Sequence, residues 1–355
     1  MDLSDLRREI DRIDEELLKL YNERLKYVKA VGELKHKTNA PIYRPDRERE
    51  ILDRLKKINR ESNGLLTNDA IDALFLELFA VARNYELPER VAFLGPEASF
   101  THQAAESKFG AMSAYIPIHT IKGVFREVAN KKAKFGVVPI ENSFNGIVSD
   151  TISCLSDYNL KIIAEVIIDI HHVFATKAED LKQIKRIYSK DIAFGQCKDF
   201  LEDFGLDEIE QIPVESTAKA AQLASKDEAS AAICSEVASR LYKLPVMFKN
   251  IEDKGNNRTR FFIVSDFENA PSGKDKTTIL VKLPNRPGAL VDFLLDFKEA
   301  KIDLTKIKSH IVEGSSIFFI EFDGHKDDEP IKKIFNKHKD SIKFLGSYVK
   351  EANDV

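Results

Sequence analysis

Cysteine is scarce in this chain of 355 residues. The three present, Cys154, Cys197 and Cys234, have neither metal-ligand spacing nor the even count of a secreted framework, so no disulfide and no zinc site are expected. An excess of either charge is missing too. Lys and Arg number 54 against 58 Asp and Glu, a net charge of -4, which offers no basic face to nucleic acid or to an anionic membrane. No apolar run is long enough for a signal peptide or a membrane span, and Met1 leads straight into a charged amphipathic stretch, so a soluble, cytoplasmic protein with a small-molecule role is expected. What is present is length. At 43% hydrophobic the chain has material for two or three cores, since domains run to about 100 to 150 residues each.

Three segments differ in grammar. Apolar residues at 3, 6, 10, 13, 17 and 20, resuming at Tyr27, Val31 and Leu34, alternate by three and four and predict one long helix. Over residues 3–36 it would be about 50 Å long at ~1.5 Å per residue, more than so short a block can cover by itself. An entwined dimer would cover it. Pro45 opens a second helix that Asn63-Gly64 ends, and Thr67 caps a third carrying Ile71, Leu74, Phe75 and Leu78. From Val91 short apolar runs alternate with helical patterns: Val91 to Leu94, Phe135 to Val138, Ala231 to Cys234 and Phe261 to Val264. That is α/β grammar, with small or polar turns at the strand ends where open sheets bind ligands. After the linker Pro271 to Lys276 the pattern reads strand, helix, strand, hairpin, strand, helix, strand over 277–349, the ferredoxin-like βαββαβ order.

In the helical block Arg24 takes a slot between Leu20 and Tyr27 where an apolar residue would continue the stripe. A charge there needs a partner. Lys35 lies three turns on and nearly on the same face, Arg47 and Glu48 begin the second helix, and Glu86 follows Ala82 by one turn. Two readings are open: convergence on one anionic ligand, or a coiled-coil specificity residue among solvated surface charges.

Leu6-Arg7 through Ile13-Asp14, Glu23-Arg24, Gly32, Lys35 and Arg47-Glu48 resemble the helical chorismate mutase family along residues 1–87. The resemblance implies an entwined dimer whose site takes Arg24, Lys35 and Arg47 from one chain and Arg7 from the other, with Glu48 on the ring hydroxyl. Chorismate carries two carboxylates, and its pericyclic rearrangement builds negative charge on the ether oxygen, so fixed cations are the chemistry required. Glu86 stands where many members have Gln, and to donate toward the ether oxygen its carboxyl must be protonated.

Over residues 90–267 the runs Gly95 to Thr101, Val138-Pro139-Ile140-Glu141-Asn142-Ser143, Gln196-Cys197, Glu215-Ser216-Thr217-Ala218 and Asn257-Arg258-Thr259-Arg260-Phe261 resemble prephenate dehydratase. A histidine and a proline of that family before Gln196 are absent, and Lys190-Asp191-Ile192 stands there. The resemblance implies two α/β lobes like a periplasmic binding protein, with the site in the cleft. Thr259 is then the group that hydrogen-bonds or protonates the departing hydroxyl, alone or through water or Glu141. Arg260 is expected to hold the pyruvyl carboxylate, aided by Ser99, Thr101, Ser216 and Thr217 at helix starts, whose free N–H groups favour anions. Glu141, Asn142, Ser143, Gln196 and Phe261 complete the expected substrate contacts. Each Ser or Thr has a plainer reading as a helix cap, and His171-His172 reads first as packing.

Asn285-Arg286-Pro287-Gly288-Ala289-Leu290-Val291 resembles the ACT domain attached to such dehydratases, over 277–350. It implies phenylalanine bound at the interface of a domain pair near Asn285, Pro287, Gly288, Ala289, Leu290 and Ser309. A Glu-Ser-Arg-Pro pattern is replaced by Lys308-Ser309-His310-Ile311, so inhibition is expected to need more phenylalanine. Together the three blocks imply a bifunctional enzyme of phenylalanine biosynthesis that takes chorismate and prephenate, forms a homodimer or larger homo-oligomer, and uses no cofactor and no metal. No Gly-x-Gly-x-x-Gly run occurs, which argues against a dehydrogenase fusion. A rival reading is a non-catalytic amino-acid sensor with the helices as a dimerisation coil. The retained Arg24, Lys35, Arg47, Thr259 and Arg260 oppose it.

Overall fold

A computed structural model describes residues 2–38, 45–86, 90–110, 113–312 and 315–351. The chain divides into two compact units, Met1–Glu89 with Phe109–Ala114, and Arg90–Lys108 with Tyr115–Val355.

The first unit is built on three helices, α1 (Leu3–Thr38), α2 (Pro45–Glu61) and α3 (Asn68–Glu86). The three-four stripe does make one continuous α1, and Pro45 does open α2, because its fixed φ suits a first helical position. Past the end of α2, Asn63 takes a left-handed φ of 51° and Gly64 N–H donates to Asn59 O at 2.8 Å. Thr67 Oγ1 accepts from Ala70 N–H at 3.1 Å ahead of α3. That helix buries Ile71, Phe79, Ala80 and Ala82. The stripe of α1, in contrast, is bare: Leu3 is 64% exposed, Leu20 59% and Tyr27 68%.

In the second unit β1 (Arg90–Leu94), β2 (Ala114–Ile118), β3 (Phe135–Asn142), β4 (Gly146–Ile147) and β5 (Lys161–Asp169) enter a first sheet. The chain then builds a second sheet from β6 (Val173–Thr176), β7 (Arg186–Ser189), β8 (Glu210–Pro213), β9 (Ser230–Cys234) and β10 (Val246–Lys249) before β11 (Arg258–Ser265) returns to the first. The sheet orders are β2-β1-β3-β11-β5, with β4 on β3, and β10-β6-β9-β7-β8. Returning antiparallel between β3 and β5, β11 ties the start and end of this region together. The two crossings between sheets bond to each other, Ile170 N–H to Asn257 O at 2.7 Å and Ile251 N–H to His172 O at 3.1 Å. These are the two lobes expected.

The third sheet comprises β12 (Asp275–Lys282), β13 (Leu304–Val312), β14 (Ser315–Asp323) and β15 (Ile342–Val349), with helices Ala289–Glu299 and Glu329–Lys337 between them. It is antiparallel, in the order β13-β14-β12-β15, so the βαββαβ sequence is present. Both faces are buried, and the alternation of strand side chains sorts them. Ile279, Val281, Ile320 and Phe322 pack with Phe293, Phe297, Ile331 and Ile334 of its own helices. Leu280, Phe319, Leu345 and Tyr348 share a core with Val138, Ile162, Phe262 and Val264 of the first sheet. A Cβ placed on Gly346 of β15 would lie 2.1 Å from the Ile162 carbonyl oxygen of β5, so the close approach of these strands requires glycine. No helix among the described residues is long and apolar enough to cross a membrane.

Candidate active site

Between the two lobes lies a cavity of about 440 Å³. Each wall comes from chain turning off a strand end into a helix: Gly95 to Thr101 after β1, and Glu215 to Thr217 after β8. Ser99 Oγ accepts from His102 N–H at 3.3 Å and Ser216 Oγ from Lys219 N–H at 3.1 Å. Both serines therefore cap helices, as the plainer reading held, and both also line the cavity with Thr101 and Thr217. Asn142, Gln196, Thr259 and Phe261 line it too.

On the first lobe Asn142 of β3 and Thr259 of β11 are cross-strand partners. Asn142 Oδ1 accepts from the Phe144 and Asn145 backbone N–H groups, each at 3.1 Å, which fixes the orientation of the amide. Its Nδ2 faces Asn257 Oδ1 at 2.8 Å, Thr259 Oγ1 at 2.9 Å and Arg258 O at 3.1 Å. An amide nitrogen donates and does not accept, so Thr259 Oγ1 accepts here and its own proton is left for another partner.

Three expected substrate contacts, Glu141, Ser143 and Arg260, are corrected. Glu141 and Arg260 are the neighbouring cross-strand pair, and successive strand residues face opposite sides of a sheet. They point away from the cavity, toward the third sheet. Arg260 is 1% exposed, gives Nε to Glu165 at 2.8 Å, and holds Glu321 with Nη1 at 2.9 Å and with Nη2. Lys276 completes a pair with Glu165 at 3.1 Å, and Lys306 of β13 grips Glu141. Arg260, Lys276 and Lys306 thus balance Glu141, Glu165 and Glu321. Burial would raise the Glu321 carboxyl, but Arg260 outweighs it and holds the group below the usual range. With its guanidinium so enclosed Arg260 cannot reach a pyruvyl carboxylate, and Glu141 is not placed to relay a proton to Thr259. Ser143 is likewise absent from the cavity lining. Its Oγ accepts from Arg258 N–H at 2.9 Å and pins the loop after β3 to the start of β11.

Sequence reasoning passed over some of the lining. His172 is 2% exposed and lines the cavity, with Nε2 2.9 Å from Gln196 Oε1. Burial pushes its pKa down, so it stays neutral near pH 7 and orients Gln196. Asn257 and Lys190 are also in the wall. The sequence signal for Lys190 was its place in the altered segment before Gln196.

In the helical unit Arg7, Arg24 and Lys35 belong to α1 and Arg47 to α2. Arg7 is exposed on α1, and Arg24, half-buried, has its Cζ 5.9 Å from the centre of the Phe79 ring of α3. Arg47 is exposed and pairs with Glu50 at 2.5 Å. Glu48 is held by Arg83 of α3, a buried arginine that the sequence reading missed. The side chains of Lys35 and Glu86 lie outside the described residues. Arg7 and Arg24 are seventeen residues apart on one helix, about 25 Å at ~1.5 Å per residue, so one chain cannot bring both to a small ligand.

In the third sheet's first loop, Asn285, Pro287 and Gly288 are exposed, Ala289 is buried and Leu290 half-buried. Gly288 has a left-handed φ of 82°, with nothing within 4 Å of where a Cβ would stand. Ser309 is exposed on β13, an edge strand of its sheet.

Comparison with known proteins bears on both units. The family model described as prephenate dehydratase matches residues 91–269, and that described as chorismate mutase type II matches residues 6–87. A protein of Aquifex aeolicus described as bifunctional chorismate mutase/prephenate dehydratase is 40% identical, covering 98% of each chain. One of Pseudomonas aeruginosa with the same description is 38% identical over 98% of each. Among solved structures, a prephenate dehydratase from Arthrobacter aurescens in complex with L-Phe is 31% identical, with a TM-score of 0.68, and covers 74% of this chain and 90% of that one.

Proposed function

This chain belongs to the family of bifunctional chorismate mutase/prephenate dehydratases, and we propose that two separate groups of its residues carry the two reactions. It rearranges chorismate to prephenate and converts prephenate to phenylpyruvate, a step toward phenylalanine. We assign the first reaction to residues 1–87, the second to 90–267, and regulation to 277–350.

In the mutase the C–O bond of the ether breaks as a new C–C bond forms, with no covalent catalyst. Arg24, Lys35 and Arg47 hold the two carboxylates and the compact conformer, Glu86 donates to the ether oxygen, and Glu48, already oriented by Arg83, takes the ring hydroxyl. The partner subunit's Arg7 completes the site. Supporting this are the ~25 Å separation of Arg7 from Arg24 along α1 and the bare apolar stripe of that helix, which a second copy would cover.

In the dehydratase the bond to the ring carboxylate breaks, its electron pair enters the ring, and the hydroxyl at the opposite ring carbon departs as water. Thr259 supplies the proton, and aromatisation supplies the driving force. Ser99, Thr101, Ser216 and Thr217 present hydroxyls and helix starts to the anionic substrate, while Gln196, held by His172, and Phe261 shape the pocket. The observation that carries the assignment is the Thr259 hydroxyl, fixed as an acceptor from Asn142 at 2.9 Å with its own proton free in the cavity wall.

The C-terminal block acts as an ACT domain that binds phenylalanine at an interface between two copies. Exposed Val291 and Leu295, on the helix that follows Gly288, support such a surface. The protein is then a cytoplasmic homodimer or larger homo-oligomer. Supplying chorismate and following prephenate and phenylpyruvate tests the assignment. Thr259→Ala should accumulate prephenate, with dehydratase kcat down ~10²- to 10⁴-fold. Arg24→Ala should stop prephenate formation yet still dehydrate added prephenate, and loss of both activities in a folded Arg24→Ala protein would count against two sites.

A further inference from the structure

With Arg260 enclosed in ion pairs on the far side of the sheet, the cation that meets the substrate must come from elsewhere. Prephenate carries two carboxylates at one ring carbon and the hydroxyl at the opposite one, so a site that holds Thr259 to the hydroxyl has its anionic end across the ring. Thr259 belongs to the first lobe. Across the cavity, directly after β7 of the second lobe, stands Lys190. Among the described residues lining the cavity it is the one lysine or arginine, and Glu215 the one acid. Lys190 is exposed and forms no ion pair among the described residues. His172 adds no charge, because burial keeps it neutral. Lys254 lines the adjoining cavity with Asp191, Glu252 and Asp253, an acidic setting in which a lysine offers little to an anion.

We infer that Lys190 is the cation that binds the pyruvyl carboxylate of prephenate, doing from the second lobe what Arg260 cannot do from the first. The charge arithmetic favours it: with Lys190 the lining is formally balanced, and without it a dianion faces a wall that is net negative. The pyruvyl group is the one chosen, because a cation bound tightly to the departing carboxylate would stabilise the ground state against loss of CO₂. An ammonium on a flexible stem can adjust to that carboxylate, whereas the guanidinium of Arg260 is held by its ion pairs.

The inference rests on the cavity being the dehydratase site, and the experiment keeps the two apart. In the full-length enzyme Lys190→Met should raise KM for prephenate about tenfold or more, the size expected of one charge-assisted contact, with kcat within about twofold. Phenylpyruvate keeps the pyruvyl carboxylate and lacks the ring one, so its product-inhibition constant should rise by the same factor. Lys190→Arg should restore most of both, and the salt dependence of kcat/KM should weaken in Lys190→Met. An unchanged KM overturns the inference, as does a raised KM with an unchanged phenylpyruvate constant, which would place Lys190 on the departing carboxylate. Thr259→Ala is the control. If it loses kcat while Lys190→Met is silent, the cavity is the site and Lys190 is not its anchor; if both are silent, the site itself is misplaced.

Discussion

Replacing Asn142 by Asp changes one atom of the donor arrangement around Thr259 and reverses its polarity. The oxygen that accepts from Phe144 and Asn145 N–H is retained. The other position, now oxygen, faces Asn257 Oδ1 at 2.8 Å, Thr259 Oγ1 at 2.9 Å and Arg258 O at 3.1 Å. A carboxylate there cannot donate, so the Thr259 hydroxyl turns to donate to it, and the proton meant for the substrate is occupied. Releasing it means breaking a hydrogen bond to a charge, about 1.5–3 kcal/mol, or one to two decades of rate at about 1.4 kcal/mol per decade. Asn142→Ala leaves the hydroxyl unoriented but unoccupied. Dehydratase kcat at pH 7 should therefore fall in the order Asn, Ala, Asp, with Asp about 10- to 100-fold below Ala, and with mutase turnover unaffected. Facing carbonyl oxygens, the introduced carboxyl titrates above the ordinary range. Once protonated it donates as the amide did, so activity in Asn142→Asp should recover as pH falls through that pKa. A prephenate assay across pH in the three proteins decides the matter. An Asp variant as fast as the Ala variant, or one with no recovery at low pH, would refute the orientation assigned to the Thr259 proton.

Glu321→Gln strands Arg260 in a buried site and should cost about 3–5 kcal/mol of stability, whereas Arg260→Met with Glu321→Gln leaves two cations and two carboxylates and should recover most of it; thermal unfolding reads both. Because the folded Glu321 carboxyl is depressed, its contribution is present above the unfolded value of about 4.3 and is lost as pH falls through the folded one, so the Glu321→Gln deficit should shrink in acid. Phenylalanine at about 100 times its Kd should stabilise the enzyme by about 2.7 kcal/mol if it binds only the folded form; a melting shift without inhibition means that the ligand site survives but its coupling does not, and no response in either sinks the regulatory assignment. Mutase kcat/KM should fall as pH rises through the Glu86 pKa, and Glu86→Gln should flatten that fall because an amide donates at any pH. An unchanged profile would place Glu86 outside the site.

Local signals in the sequence were reliable where the chain's own backbone decides the outcome. The stripe of α1, Pro45 and the Asn63-Gly64 stop each fix their element without help from distant residues. Thr259 was reached by another route, the family resemblance of its triplet, and it does line the cavity. Arg260 was misread because a triplet shows that three residues matter and not that the middle one points the other way; the period of two along β11 contained that information. The partners of Arg260 are beyond local reading, since Glu165 and Glu321 are 95 and 61 residues away. Glu48 met the same limit, its partner Arg83 lying 35 residues on. His172 looked like packing and is packed, edge-on to Phe100 with ring centres 5.9 Å apart; only the fold reveals that this packing forms the cavity wall.

The six balanced charges between the first and third sheets also bear on inheritance. Four of them, Arg260, Glu321, Glu165 and Lys276, are buried together from segments far apart in sequence. The C-terminal block is therefore not a cassette that recombination can exchange freely: a block from a relative with a different charge pattern would arrive with unmatched carboxylates or ammonium groups. A drift at Glu165 must be answered at Lys276 or Arg260, and one at Glu321 again at Arg260. The two sides of the linker are thus tied by charge, with Arg260 as the residue that pairs with carboxylates on both.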